Sequence, residues 1–276
     1  MLTPEITKKI SDFVFIKPRT IDEIAKHIKK NWRTANRYVE KIIEQQGTLA
    51  TRVFREGTRG ALKIVYWTNI EQIHSSAFQE QLFEKIKAGR KREEFNAFDI
   101  YQHVPAKNKS AFLEEQEDES KTAFNKDLPR LLSSTEKQLL IFSGNLSWAN
   151  LTEIYKILEE LGRRNVSIKV LARIDIDNLE NIKKFLDLNN KVNKEFIEIR
   201  HCEQPLRAFV IDKKLVRFKE IKNPEEKKRK RMFIFYNIHD KEWIEWLQKV
   251  FWHFFTSGVP AEKRIKELES IKKLES

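Results

Sequence analysis

Five side chains close together in the sequence share one kind of chemistry: Arg33, Thr34, Asn36, Arg37 and Lys41. Wound into a helix at about 100° per residue, Arg33, Arg37 and Lys41 fall on one face, with Thr34 and Asn36 flanking it. Guanidinium and ammonium groups pair with phosphate oxygens or guanine edges, and an Asn amide can read adenine, so the face suits hydrogen bonding to double-stranded DNA. A second group, Arg52, Arg55, Arg59 and Lys63, follows within a segment that alternates apolar and polar residues. Glu40 and Glu44 lie one turn further along the first face and would be repelled by phosphate. Contact is therefore expected at the N-terminal end of that helix.

Three short helices must hold the first group in place. Ile6, Ile10, Phe13 and Val14 form one stripe of a helix that ends before Pro18. Thr20 and Glu23 have the spacing of a capping box, which opens a second helix with Ile21, Ile24, Ala25 and Ile28 inward. After a break at Lys30–Asn31, a third helix turns Ala35, Tyr38, Val39, Ile42 and Ile43 inward and stops near Gly47. Two helices joined by so short a turn have the dimensions of a helix-turn-helix, whose second helix enters the major groove. Two strands follow, Leu49–Arg55 and Ala61–Trp67, joined by a turn holding Gly57 and Gly60. A basic hairpin in that place is a wing. Across residues 1–70, fourteen Lys and Arg stand against seven Asp and Glu.

The whole chain of 276 residues carries 53 Lys and Arg against 41 Asp and Glu, a net charge of +12. Such an excess favours polyanionic partners, chiefly nucleic acid or an acidic membrane surface. Cys202 is the one cysteine, which rules out an intramolecular disulfide and a structural metal site built on thiolates. No cofactor and no metal are expected. The segment Met1–Ile10 is polar, and no run approaches about 18 apolar residues, so a cytoplasmic chain without a membrane span is expected.

Residues 69–127 read as a helical linker. Ile70, Ile73, Ala77, Phe78, Leu82, Phe83 and Ile86 predict one long amphipathic helix running towards Gly89, suited to a dimer interface. A charged patch at 90–94, a second apolar cluster (Phe95 to Val104) and an acidic run from Glu114 to Glu119, expected as a solvated loop, follow. From residue 128 to 276 the pattern is α/β. Strands are predicted at Gln138–Ser143, Val166–Val170, Phe196–Arg200, Leu206–Ile211, Lys214–Lys219 and Arg231–Tyr236, with helical stripes at Leu151–Leu161 and Leu179–Leu186 and a closing helix at Trp243–Phe255. Strand–helix alternation with apolar strands argues for a mixed sheet covered by helices. The basic cluster Lys227–Arg231 falls in a loop, and Trp243, Trp246 and Trp252 are expected in the core and at a dimer contact.

The segment from Thr20 to Val39 resembles the winged helices of prokaryotic transcription regulators. Pro205-Leu206-Arg207-Ala208-Phe209-Val210-Ile211-Asp212 resembles the strand of the phospholipase D superfamily, in which a His-x-Lys pair precedes an Asp. That resemblance implies a His that takes up the phosphoryl group and a Lys that stabilises its charge. Here the His position is Pro205 and the Lys position is Arg207, so a non-catalytic domain is expected. His201, four residues upstream, is expected to be an ordinary strand-end histidine. A winged helix followed by a degenerate phospholipase D-like domain is similar to the TrmB-type transcription regulators of archaea. Leu206–Asp212, the strand ending in Tyr236-Asn237 and the helix with Trp243, Leu247, Phe251 and Trp252 carry that likeness most strongly. It implies a dimeric, sequence-specific regulator that binds duplex DNA. The further C-terminal sugar-binding domain that some members use is not expected, since the chain stops soon after Phe255. An architectural protein that coats DNA with little sequence preference is the alternative reading. A nuclease would need the missing His-x-Lys pair.

Overall fold

The computed structural model describes residues 2–16, 18–55, 61–67, 76–116, 127–222 and 231–274. The chain divides into two compact units, Met1–Ile73 and His74–Ser276.

The first unit runs α1 (Pro4–Ile16), β1 (Arg19–Thr20), α2 (Ile21–His27), α3 (Trp32–Gln46), β2 (Leu49–Arg55) and β3 (Ala61–Trp67). The capping box forms as spaced. Thr20 Oγ1 accepts the N–H of Glu23 at 3.1 Å, and the Thr20 N–H donates to Glu23 Oε2 at 2.7 Å. That second bond holds the Glu23 carboxyl below its usual range. Such a cap is worth about 1 kcal/mol, a large share of the stability of a seven-residue helix. Asn31 caps α3 by accepting the Thr34 N–H at 2.8 Å. Gly47, at φ 65°, ends α3 in the left-handed conformation that a residue without Cβ adopts at little cost. The inward stripes meet in one core: Ile10, Val14, Ile21, Ile24, Val39, Ile42 and Val65 are all buried. One element was not foreseen. Arg19 and Thr20 pair antiparallel with Val65 and Ile64, making a three-stranded sheet in the order β1-β3-β2.

The second unit is a mixed α+β body around one eight-stranded sheet. Its helices are α4 (Ala77–Ala88), α5 (Phe98–Tyr101), α6 (Leu128–Ser133), α7 (Thr152–Arg163), α8 (Leu179–Val192), α9 (Lys241–Ser257) and α10 (Ala261–Leu274). Its strands are β4 (Lys109–Gln116), β5 (Gln138–Phe142), β6 (Ser167–Ala172), β7 (Ile197–His201), β8 (Ala208–Ile211), β9 (Leu215–Lys222), β10 (Arg231–Ile238) and β11 (Val259–Pro260). They lie in the order β11-β7-β6-β5-β8-β9-β10-β4, with β5, β6 and β7 parallel and the other pairs antiparallel. Alternation along β5 splits the core. Leu139 and Ile141 join α6, α7, α8 and α10 on one face, while Phe142 meets the Phe251 ring of α9 edge-on at 5.2 Å on the other. Gly162, in the last turn of α7, permits a close approach: a Cβ there would lie 2.5 Å from the Phe196 ring.

The middle segment departs from the expected linker. Ser76 caps α4 by accepting the Gln79 N–H at 3.3 Å, so this helix begins at Ala77 rather than running on from Ile70. The expected start at Ile70 and Ile73 falls outside the described residues. Leu82, Phe83 and Ile86 are buried within the unit itself, and Phe83 packs edge-on against His253 of α9 at 5.0 Å. Leu82, Phe83 and Ile86 are thus used internally, whereas Ala77 and Phe78 of the same stripe are exposed. Lys109–Gln116, part of which was expected as a solvated acidic loop, is the sheet's end strand and pairs along its whole length with β10. Residues 117–119 of the acidic run and 227–230 of the basic cluster fall outside the described residues. Trp243, Trp246 and Trp252 are buried in the core of this unit.

Candidate nucleic-acid interface

The nine cationic and polar residues singled out from sequence separate into three groups. Arg33, Arg37 and Lys41 form the first. All three are exposed along α3, and among the described residues none has a carboxylate within ion-pair distance. Their Cα atoms sit on the side opposite the buried Ala35, Val39 and Ile42. Arg33 stands in the first turn of α3, where the unpaired N–H groups of the helix end add positive potential.

Asn36 and Lys63 form the second group, and here the structure adds a contact no local pattern announces. Lys63 Nζ, on β3, donates to Asn36 Oδ1 at 2.7 Å and to Glu40 Oε1 at 3.0 Å; Asn36 Nδ2 donates to the same Glu40 oxygen at 2.9 Å. The three side chains tie α3 to the hairpin. The Lys63 side chain is only 18% exposed. Asn36 thus spends its amide inside the unit, and Glu40, expected to repel phosphate, is offset by Lys63. Thr34 is half-buried beside them, its N–H taken by the Asn31 cap.

The third group is placed only by backbone or not at all. Arg52 pairs with Ile64 and Arg55 with Ala61 across the hairpin. Arg59 lies outside the described residues. Sequence reasoning also passed over Trp32, Lys29 and Lys30. Trp32 opens α3 and is 44% exposed, although a tryptophan beside apolar stripes reads as core. Lys29 and Lys30 are exposed in the turn before α3, and Lys29 takes φ 53°.

In the second unit the residues weighed for catalysis have structural partners. Pro205 is buried. Asp212, at φ 48°, accepts the backbone N–H groups of Glu136, Lys137 and Gln138 at 2.7, 2.8 and 2.8 Å, clamping the entry to β5. His201 Nδ1 accepts the Ile174 N–H at 2.9 Å, and burial pulls its pKa down, which favours the neutral ring that this bond requires. Burial pushes the Cys202 thiol up to about 11, away from a reactive thiolate. Among the described residues no three His, Cys, Asp or Glu side chains gather as they would around a metal ion. No described helix is long and apolar enough to cross a membrane.

No protein-family model matches the chain, and no curated protein does. Solved structures are similar at low identity, three of them as follows. Nuc from Salmonella typhimurium, a phospholipase D family member, is 11% identical with a TM-score of 0.40 over 55% of this chain and 97% of its own. NucT from Helicobacter pylori is 13% identical with a TM-score of 0.40 over 55% and 99%. TrmBL2, an archaeal chromatin protein with a novel mode of DNA binding, is 16% identical with a TM-score of 0.38 over 94% of each chain. None is near enough in sequence or superposition to give this chain a family.

Proposed function

We propose that the chain binds duplex DNA through α3 and the β2–β3 hairpin, as a dimeric regulator of transcription in the cytoplasm. The observation that carries this reading is the row Arg33, Arg37 and Lys41, exposed together on the helix that follows a short turn, with no carboxylate partner among the described residues. The element order helix, strand, helix, helix, hairpin is that of a winged helix, in which α3 is the groove-entering element. In this reading the second unit is a phospholipase D-like domain without catalysis, since Pro205 offers no nucleophile where a His would stand. A dimer would need a surface other than the inner face of α4.

A second reading, a coat on DNA with little sequence preference, gains from one observation. Asn36, the residue best suited to read a base, is held by Glu40 and Lys63. The open residues are cations that serve phosphates as well as guanines. Genome-wide mapping of bound sites separates the two: a few sharp peaks support the regulator, and a continuous distribution supports the coat. Absence of any duplex affinity at low salt overturns both.

A further inference from the structure

The two edges of the eight-stranded sheet are built differently. At one, β11 is two residues long and holds Pro260, features that blunt an edge against further pairing. At the other, β4 runs for eight residues without a proline. Its register with β10 is unbroken, from Lys109 opposite Ile238 to Gln116 opposite Arg231, so no bulge turns the strand aside.

The ladder fixes which backbone groups of β4 face outward. The His239 N–H donates to the Asn108 carbonyl at 2.8 Å, which makes 108 and 239 a hydrogen-bonded pair. Such pairs alternate along an antiparallel ladder. Ser110, Phe112, Glu114 and Gln116 therefore turn their backbone groups to β10, and Lys109, Ala111, Leu113 and Glu115 turn theirs away. Among the described residues no strand meets that outer edge. Apolar side chains border it. Leu113 is 52% exposed, and Phe98, whose ring lies 6.3 Å from that of Tyr236, is 48% exposed. Tyr236 stands opposite Ala111, so Phe98, Ala111 and Leu113 belong to the same side of the sheet.

The sequence of β4 is complementary to itself when reversed. When a second copy lies antiparallel on the outer edge with Phe112 opposite Phe112, Ala111 comes opposite Leu113 and Lys109 opposite Glu115, each pair twice by symmetry. Every outward-facing residue of one strand then meets an outward-facing residue of the other, so the open N–H and C=O groups on both sides can exchange hydrogen bonds. A small residue faces the exposed leucine, and opposite charges face each other at both ends. Lys109 can serve its own unit at the same time. Its Nζ donates to the carbonyls of Tyr101 at 2.9 Å and Gln102 at 3.1 Å, which leaves one of an ammonium's three donors.

We propose that the outer edge of β4 is docked by β4 of a second copy of this chain, antiparallel about Phe112, so that one sheet continues through both second units. A two-fold contact of this kind uses the same surface on each copy and closes at two. The inference rests on the dimer reading of the proposed function and gives that dimer its surface. It needs nothing from α3.

The test is sedimentation velocity of the full chain, with duplex affinity measured separately by fluorescence anisotropy. A dimer is expected at about 100 μM. Leu113→Pro removes an outward N–H and no bond to β10, so the variant should fold and sediment as a monomer. Lys109→Glu and Glu115→Lys, each alone, oppose like charges twice and weaken dimerisation by about tenfold. An equal mixture of those two variants restores it, because each charge then meets its opposite on the other chain. Melting curves show whether each variant is folded, and should Leu113→Pro not fold, the mixing experiment decides. A wild type that stays monomeric would overturn the interface and the dimer reading together, leaving the edge to another occupant and the duplex affinity of α3 as measured. A dimer as tight in folded Leu113→Pro as in wild type, or a mixture no tighter than its components, would overturn the β4 interface alone.

Discussion

Two places in this molecule hold arginine and lysine in opposite surroundings. On α3, Arg33, Arg37 and Lys41 stand in solvent, where an unpaired charge costs little and its field is screened by salt. At the ends of β8 and β9, Arg207 and Lys219 are partly enclosed, so the same charges are expensive and their pKa values fall. The exposed row suits an extended polyanion met by many weak contacts. The enclosed pair sits in the sheet, where the Arg207 guanidinium donates to the Gln204 and Leu206 carbonyls instead. The environment, more than the count of charges, separates the two roles.

Salt gives the largest expected contrast. If the chain binds duplex as the proposed dimer with about 6–10 phosphate contacts, its affinity falls roughly 10³–10⁵-fold between 50 and 200 mM salt. Unfolding stability, on which the enclosed pair acts, responds far less, because buried charges are screened less than exposed ones. An equally steep salt dependence of the two, by fluorescence anisotropy and urea unfolding, would erase the distinction between the regions.

Next in size is Asp212→Ala. Three backbone N–H groups at the entry to β5 lose their acceptor, and unfolding stability drops by about 2–4 kcal/mol. No plasmid, RNA or lipid hydrolysis is expected before or after the change. Turnover that co-purifies with the wild type and vanishes in this variant would make the second unit an enzyme.

Arg37→Ala sharpens the α3 side of the comparison. Operator affinity weakens by about 1–3 kcal/mol if the guanidinium reads a base, while the melting temperature stays the same because the side chain is exposed. Undiminished affinity removes this helix from the groove.

The smallest effect is in pH. Lys219 has a folded pKa of about 8, well below its unfolded range. Between pH 8 and the unfolded pKa the unfolded chain therefore binds more protons, and stability rises with pH across that window. Below about pH 8 both states are protonated and the burial penalty is constant. Urea midpoints at pH 7 and 9 should differ in wild type and converge in Lys219→Met; an equal rise in both assigns it to another group.

Local patterns were legible in the first unit and in much of the second. The inward stripes of α1 to α3, the Thr20–Glu23 box and the stop at Gly47 need only contacts three or four residues apart, which the sequence states directly. The same holds for the apolar strands β5 to β8 and the long stripe of α9. The exposed row Arg33, Arg37 and Lys41 was readable for the same reason: a helix that buries one face must show the other.

Whatever joins distant segments was decided by the tertiary structure alone. Periodicity did not reveal that Lys109–Gln116 would pair with Arg231–Ile238, because a strand's partner is chosen by geometry across the sheet. The hold of Lys63 on Asn36, 27 residues away, took a predicted base reader into an internal network. Asp212, which resembles a motif's acidic residue, became a clamp on a loop 76 residues earlier. Arg207 could be aligned from sequence, but its close packing on Gly144 could not be read there. The physical reason is one of range. Helix faces and caps are set by neighbours along the chain, whereas the surroundings of a side chain are set by segments that meet only when the chain has closed on itself.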